Sequence, residues 1–428
     1  MEKPEIVSNI PEKENKLAMI PEDFNALSVE EAFKHKHVVF EVNECFENTK
    51  INLFNDFISS YTKSYRSGPE EQKEVKQKME NNIYVIRFDP AFFLLWNTDD
   101  NALAGYIPEL KTLFLPDMKT YKNPEIYTHE VTHSIGSICV NSEGLKIEDY
   151  EIYNALNEGI TEKMTVEMIC KKKEGYSPNV KCAQVIDVIT GGKANEGFLK
   201  NDVGLIKEAY DKEISEGAFE DLVFNTHGIE NTFKEINKYR NEIFDFEDKN
   251  DVNSAEFIKN YDAIKQLIDN EDNARLIYKE NKTEENKEKY STEMNKTDEE
   301  LKKFKDEIVN YVLAKEYVKK YDNGGNIDLI CERMANSFDR HLSILINKSN
   351  TQEEQRKIMQ KFCNIQASFD FSENKIPVLE NVIKTSIIKL YEKMTNTTLT
   401  KNINIYEKLG IQHNLNWLNN ATEDNAKF

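Results

Sequence analysis

Residues 129–133 read His-Glu-Val-Thr-His, and this stretch constrains the chain more than any other. Histidine is scarce here, with seven among 428 residues, so two within five positions stand out. On a helix, positions i and i+4 lie one turn apart on one face, so His129 and His133 can point both imidazoles at one metal ion. Glu130 then stands beside that ion, placed to act on a water molecule. That reading requires this stretch to be a helix with one polar face turned toward a site.

The flanking residues predict that helix. Asn123 suits the N-cap and Pro124 the first helical position. Tyr127, Val131, Ile135 and Ile138 recur at three- to four-residue spacing, a stripe fit to face a core. His129, His133 and Gly136 fall on another face, where Gly136 leaves room for a second backbone to come close. The plain alternative is an amphipathic helix with two hydrogen-bonded histidines and no metal.

A catalytic zinc site needs a third ligand and an open fourth position. Residues 156–162, Leu-Asn-Glu-Gly-Ile-Thr-Glu, offer it. Glu158 and Glu162 are four apart and share a face on a helix. One carboxylate can bind metal while the other accepts a hydrogen bond from a ligand imidazole and fixes its tautomer. A solvated acidic face is the plain alternative in so acidic a chain. The apolar Met164, Val166 and Ile169 that follow argue against it.

The pattern His-Glu-x-x-His followed by Asn-Glu-x-x-Thr-Glu resembles the gluzincin metallopeptidases, the thermolysin-like group, over roughly residues 83–168. Its Glu-x-x-x-Glu form is similar to the lethal-factor-like branch of the same clan. The resemblance implies that His129, His133 and Glu158 bind zinc and that Glu130 is general base and proton shuttle. It implies that Glu162 braces His129, where the family usually carries Asp, and that Asn157 supports the ligands from behind.

The chemistry stands without the family. Zinc polarises a scissile carbonyl and acidifies water, and a glutamate beside it can take the water's proton and pass it to the leaving amine. The oxyanion needs a second electrophile. Tyr150, Tyr176 and His227 are candidates, though each reads more readily as an ordinary core or surface residue, His227 most of all.

Residues 83–88, 102–108 and 111–115 read as short strands, and 37–42 as another. Pro108 turns the second toward an edge or a turn. His35 and His37 alternate with lysines and read as surface residues. An open strand edge beside the metal can pair with an extended peptide. That places substrate along Leu103–Ile107, at Gly105 and Tyr106, or along Lys111–Leu115. Strands packed on helices predict an α+β fold whose zincin-like catalytic domain combines a small mixed sheet, the His-Glu-x-x-His helix and a third-ligand helix.

The net charge of −20 argues against nucleic acid, whose binding rests on neutralised phosphates, and against anionic membrane surfaces. The sequence has no apolar run long enough to span a bilayer and no signal-peptide core, which leaves a cytoplasmic or a secreted location. Six cysteines without a Cys-x-x-Cys pair exclude a thiolate zinc site and lean toward a reducing compartment.

Beyond about Phe233 the chain turns rich in Lys, Glu, Asn and Asp at helical spacing. Thr297-Asp298-Glu299-Glu300 carries the capping-box signature of a helix start, with Asn323-Gly324-Gly325 as its stop. The nearly all-polar residues 278–300 fit an exposed helix, a hairpin tip or a disordered stretch. Further helices are expected at Leu329–Ile346, Gln352–Ala367 and Val378–Met394. His341 and His413 read as structural or exposed.

The sequence thus predicts a flexible segment over 1–33, a metallopeptidase domain over 34–228 and a helical accessory domain over 229–428 able to bind a protein partner. The expected activity is zinc-dependent hydrolysis of peptide or protein substrates. An endopeptidase is preferred because an open edge accepts a chain running on at both ends; an aminopeptidase is the near alternative. The rival from another class is a helical interaction protein with a structural or degenerate zinc site. A third reading is a toxin-like secreted protease.

Overall fold

The computed structural model describes residues 44–80, 83–86, 104–107, 112–115, 123–138, 147–170, 175, 177–322 and 327–395. The expected 1–33 segment, the strand at 37–42, His35, His37, Tyr176, His413 and the Gly324-Gly325 stop lie outside them.

Helices α1 (Glu44–Tyr65) and α2 (Pro69–Glu80) come first, then strands β1 (Ile83–Ile86), β2 (Gly105–Ile107) and β3 (Thr112–Leu115). The candidate site helices follow, α3 (Pro124–Ile135) and α4 (Ile147–Ile169). Next come α5 (Ser177–Thr190), α6 (Lys193–Lys200), α7 (Val203–Glu213) and α8 (Ala218–Lys249). The chain continues through α9 (Ala255–Glu280), α10 (Glu284–Leu301), α11 (Asp306–Asp322), α12 (Ile327–Lys348), α13 (Gln352–Phe371) and α14 (Pro377–Thr395).

The expectation of an α+β fold with a zincin-like mixed sheet is overturned. Among the described residues fourteen helices stand against three strands of three or four residues, and the fold is predominantly helical. The strands pair in the order β1-β3-β2, with β1 parallel to β3 and β2 antiparallel to it, Tyr106 opposite Leu113. Strands this short bury too little to make a core, so burial falls to the helices instead.

In α3 the Asn123 side chain accepts from the Glu125 N–H at 3.1 Å, and Pro124 follows at the first turn. Tyr127, Val131, Ile135 and Ile138 are buried, at 2 % exposure or less. Gly136 ends the helix where α6 arrives. A Cβ there would stand 2.6 Å from the Phe198 ring and 2.7 Å from its carbonyl oxygen. The Ser137 N–H instead donates to that carbonyl at 3.0 Å.

Helix α4 is buried on more than one face, which is why it carries no single apolar stripe. Ala155, Leu156, Ile160 and Met164 are fully buried, and so is Thr161. At Gly159 a Cβ would sit 2.3 Å from the backbone oxygen of Asn179, so α5 approaches where a side chain would block it. On another side α1 contributes Tyr65, whose hydroxyl donates to Glu167 at 2.6 Å.

The chain divides into two compact units, one holding the described residues up to His227 with those from Met334 onward, the other Gly228–Arg333. This differs from a catalytic region followed by one helical appendage over 229–428. In the first unit Lys361 of α13 donates to the carbonyl of Ile189 in α5 at 2.6 Å, so late helices pack on early ones. In the second, Ile264, Val309, Tyr311 and Val312 form a small core with Phe246, Phe257 and Tyr261 around it.

The polar stretch 278–300 is helical on both sides of the turn at 281–283 that joins α9 to α10, with Tyr278 and Tyr290 stacked at 6.4 Å. Thr297 is no helix cap: it lies inside α10, buried, and its hydroxyl donates to the Leu267 carbonyl at 3.4 Å. A reciprocal capping box does form at Thr351 and Glu354, opening α13. Among the described residues no helix is long and apolar enough to cross a membrane.

Candidate metal centre

Helix α3 supplies His129 and His133 one turn apart, and α4 lies against it with Glu158 on the facing side. The three side chains form a group whose ligand atoms all lie within 4.8 Å of one another, and no other such group occurs among the described residues. His129 Nε2 and His133 Nε2 are 3.2 Å apart. Glu158 Oε2 lies 3.3 Å from His129 Nε2, and its Oε1 lies 3.4 Å from His133 Nε2.

These separations fit a metal. An ion bound at about 2.0–2.1 Å by corners of a tetrahedron needs those corners about 3.3–3.4 Å apart, the geometry of zinc with nitrogen and oxygen ligands. Two imidazoles and one carboxylate suit zinc by donor type as well. The side chains of His129, His133 and Glu158 are 11 %, 13 % and 18 % exposed, so a small ligand can reach them from one side.

Both histidines are braced. Glu162 Oε2 is 2.8 Å from His129 Nδ1, while Glu162 Oε1 accepts from the Gly175 N–H at 2.7 Å. A carboxylate only accepts, so Nδ1 of His129 carries a proton, which leaves Nε2 as the nitrogen that would give up its own proton to hold a metal. Around His133, Thr161 Oγ1 lies 3.2 Å and Asn157 Nδ2 3.3 Å from Nδ1. Asn157 Oδ1 accepts from Ser137 Oγ and from the Ile138 N–H, both at 3.1 Å, tying the end of α3 to α4.

Charge follows from this arrangement. Burial opposes ionisation of Glu158, but the neighbouring His133 and the hydrogen bond from His129 outweigh it, and its pKa is driven well below the carboxylate range. Burial likewise opposes protonation of His129, yet its hydrogen bonds to Glu158 and Glu162 and the charge of Glu130 raise its pKa well above the ordinary imidazole value. Glu130 is buried, and burial raises its pKa against the pull of His129 and His133. It lies outside the ligand group.

The sequence candidates separate here. His129, His133, Glu158, Glu162 and Asn157 come together in one cluster. Tyr150 falls in the first turn of α4, but its side chain is outside the described set, as is Tyr176 altogether. His227 lies on α8, outside the ligand group. Gly105 and Tyr106 lie on β2, which packs against α3. Strand β3 is flanked on both sides, so of the two proposed substrate strands only β2 is at an edge among the described residues. Thr161 was not singled out from the sequence. Its spacing was the available signal, since it sits three residues after Glu158 and four after Asn157, on their face.

No protein-family model matches the chain, and no curated protein or solved structure matches it either.

Proposed function

We propose that this chain is a zinc-dependent peptidase of gluzincin type that cuts within extended peptides. The observation that carries this reading is Glu130, buried beside a group of two histidines and a glutamate yet not part of it. A structural zinc site is closed by four protein ligands and has no use for a further carboxylate. A hydrolytic site keeps a position free and sets a base next to it.

Bound by His129, His133 and Glu158, zinc supplies Lewis-acid polarisation of the scissile carbonyl and acidifies the attacking water. The remaining work belongs to the chain. Glu130 takes a proton from that water and delivers it to the leaving amine. Burial raises its pKa, which strengthens the carboxylate as a base toward that water. Glu162 and Thr161 hold the imidazoles, and β2, an edge strand among the described residues, is the strand proposed to take an extended substrate through main-chain hydrogen bonds. Tyr150 and Tyr176 are the proposed partners of the oxyanion.

The test is digestion of a mixed peptide library by the zinc-loaded protein, read by mass spectrometry. Internal cuts that vanish on chelation and return with zinc are expected. Release of single terminal residues would replace the endopeptidase by an aminopeptidase.

A further inference from the structure

We infer that Thr161, and not Asn157, sets the metal-binding tautomer of His133. The inference rests on the peptidase reading, since it concerns how one proposed zinc ligand is held.

For His133 to offer a lone pair on Nε2, Nδ1 must carry the proton and donate it. Two groups face Nδ1, the Asn157 amide at 3.3 Å and the Thr161 hydroxyl at 3.2 Å. The orientation of the amide decides between them. The Ile138 N–H is a backbone donor and cannot accept, so the atom of Asn157 that it meets at 3.1 Å is the oxygen. Ser137 Oγ also donates to that oxygen. Ile138 and Asn157 are buried, so water does not compete for these groups.

With its oxygen so committed, Asn157 turns its NH2 toward His133 Nδ1. A donor facing Nδ1 favours the wrong tautomer, with the proton on Nε2 where the metal must bind. The Thr161 hydroxyl is the group at Nδ1 that can accept. It is fully buried on α4, three residues from the ligand Glu158, so one helix both supplies a ligand and orients another. Thr161 is thus a positioning residue, and Asn157 a clamp between the end of α3 and α4.

The experiment measures zinc affinity by competition with a chromogenic chelator for wild type, Thr161→Val and Thr161→Ser. Metal-free thermal unfolding serves as a fold control, and nitrogen NMR of labelled histidine reads the tautomer. Valine keeps the shape and removes the acceptor; serine keeps the acceptor. The expected result is zinc binding about 10–100-fold weaker in Thr161→Val and within a few-fold of wild type in Thr161→Ser. His133 in the zinc-free valine variant should move toward the Nε2-protonated form. Equal affinity of Thr161→Val and wild type would overturn the inference, and so would equal weakening of both variants, which marks loss of packing. A folded wild type that binds no zinc would instead sink the peptidase reading on which the inference rests.

Discussion

Glu162 Oε2 stands 2.8 Å from His129 Nδ1, while the other nitrogen of that ring faces Glu158 at 3.3 Å. The second oxygen of Glu162 takes the Gly175 N–H. Both partners of this carboxylate are donors, so a side chain with only one acceptor end cannot serve both. Glu162→Gln places an NH2 against one of them. The expected outcome is zinc affinity about 10–100-fold weaker, measured by chelator competition, with the helical circular dichroism unchanged.

Gly159, next to ligand Glu158, faces the Asn179 backbone so closely that a methyl group has no place. Backbone yields less readily than a flexible side chain. Gly159→Ala should therefore cost about 1–3 kcal/mol or more by overpacking, and shift Glu158 as α4 moves off α5. Urea denaturation reads the first effect and zinc affinity the second. An unchanged midpoint would mean that α4 and α5 are not held this close.

Lys163 is buried between Asp187 at 3.0 Å and Glu167 at 3.1 Å, with Asn195 Oδ1 at 3.2 Å. Burial disfavours its charge, but the two carboxylates outweigh that and hold it protonated. Lys163→Met leaves two carboxylates without their cation, and an expected loss of about 3–5 kcal/mol in unfolding free energy, read by urea denaturation, follows. Restoring the balance with Asp187→Asn in the same chain should recover part of it.

His341 is buried against Tyr210, with Asp221 Oδ2 3.3 Å from its Nε2. Burial, helped by the Arg340 charge, lowers its pKa in spite of Asp221. In the unfolded chain the ring takes a proton below about pH 6.5, and in the folded protein only at lower pH. Stability is therefore at its full value above about pH 6.5 and falls as pH drops toward the lowered folded value. Comparing unfolding at about pH 7.5 and about pH 5.5, His341→Gln should show a smaller acid loss than wild type. An equal loss would place the acid sensitivity elsewhere.

The candidate site was legible because its chemistry is local. The Asn-Pro start of α3, its apolar stripe and the four-residue spacing of His129 with His133 and of Glu158 with Glu162 are facts about single helices. Thr161 was not legible in the same way, because its role depends on which way the Asn157 amide turns, and the backbone of Ile138, just beyond the end of α3, decides that. The fold class failed for a related reason. Alternation marks residues 83–86 and 112–115 as extended, but says nothing about how few strands will join them or how much helix will cover them. The Thr297 signature misled because a capping box needs non-helical backbone at its first residue, and here α10 already runs through it. Nor does any local pattern announce that α13 returns to α5 through Lys361 and Ile189.

The most direct test of the peptidase reading is Glu130→Gln beside wild type, with zinc content and peptide cleavage measured on the same preparations. The account expects about one zinc per chain in both proteins and cleavage by wild type alone, because Glu130 lies outside the ligand group. Zinc in both with cleavage undiminished in Glu130→Gln would contradict the assigned base, and a folded wild type without zinc would contradict the metal centre itself.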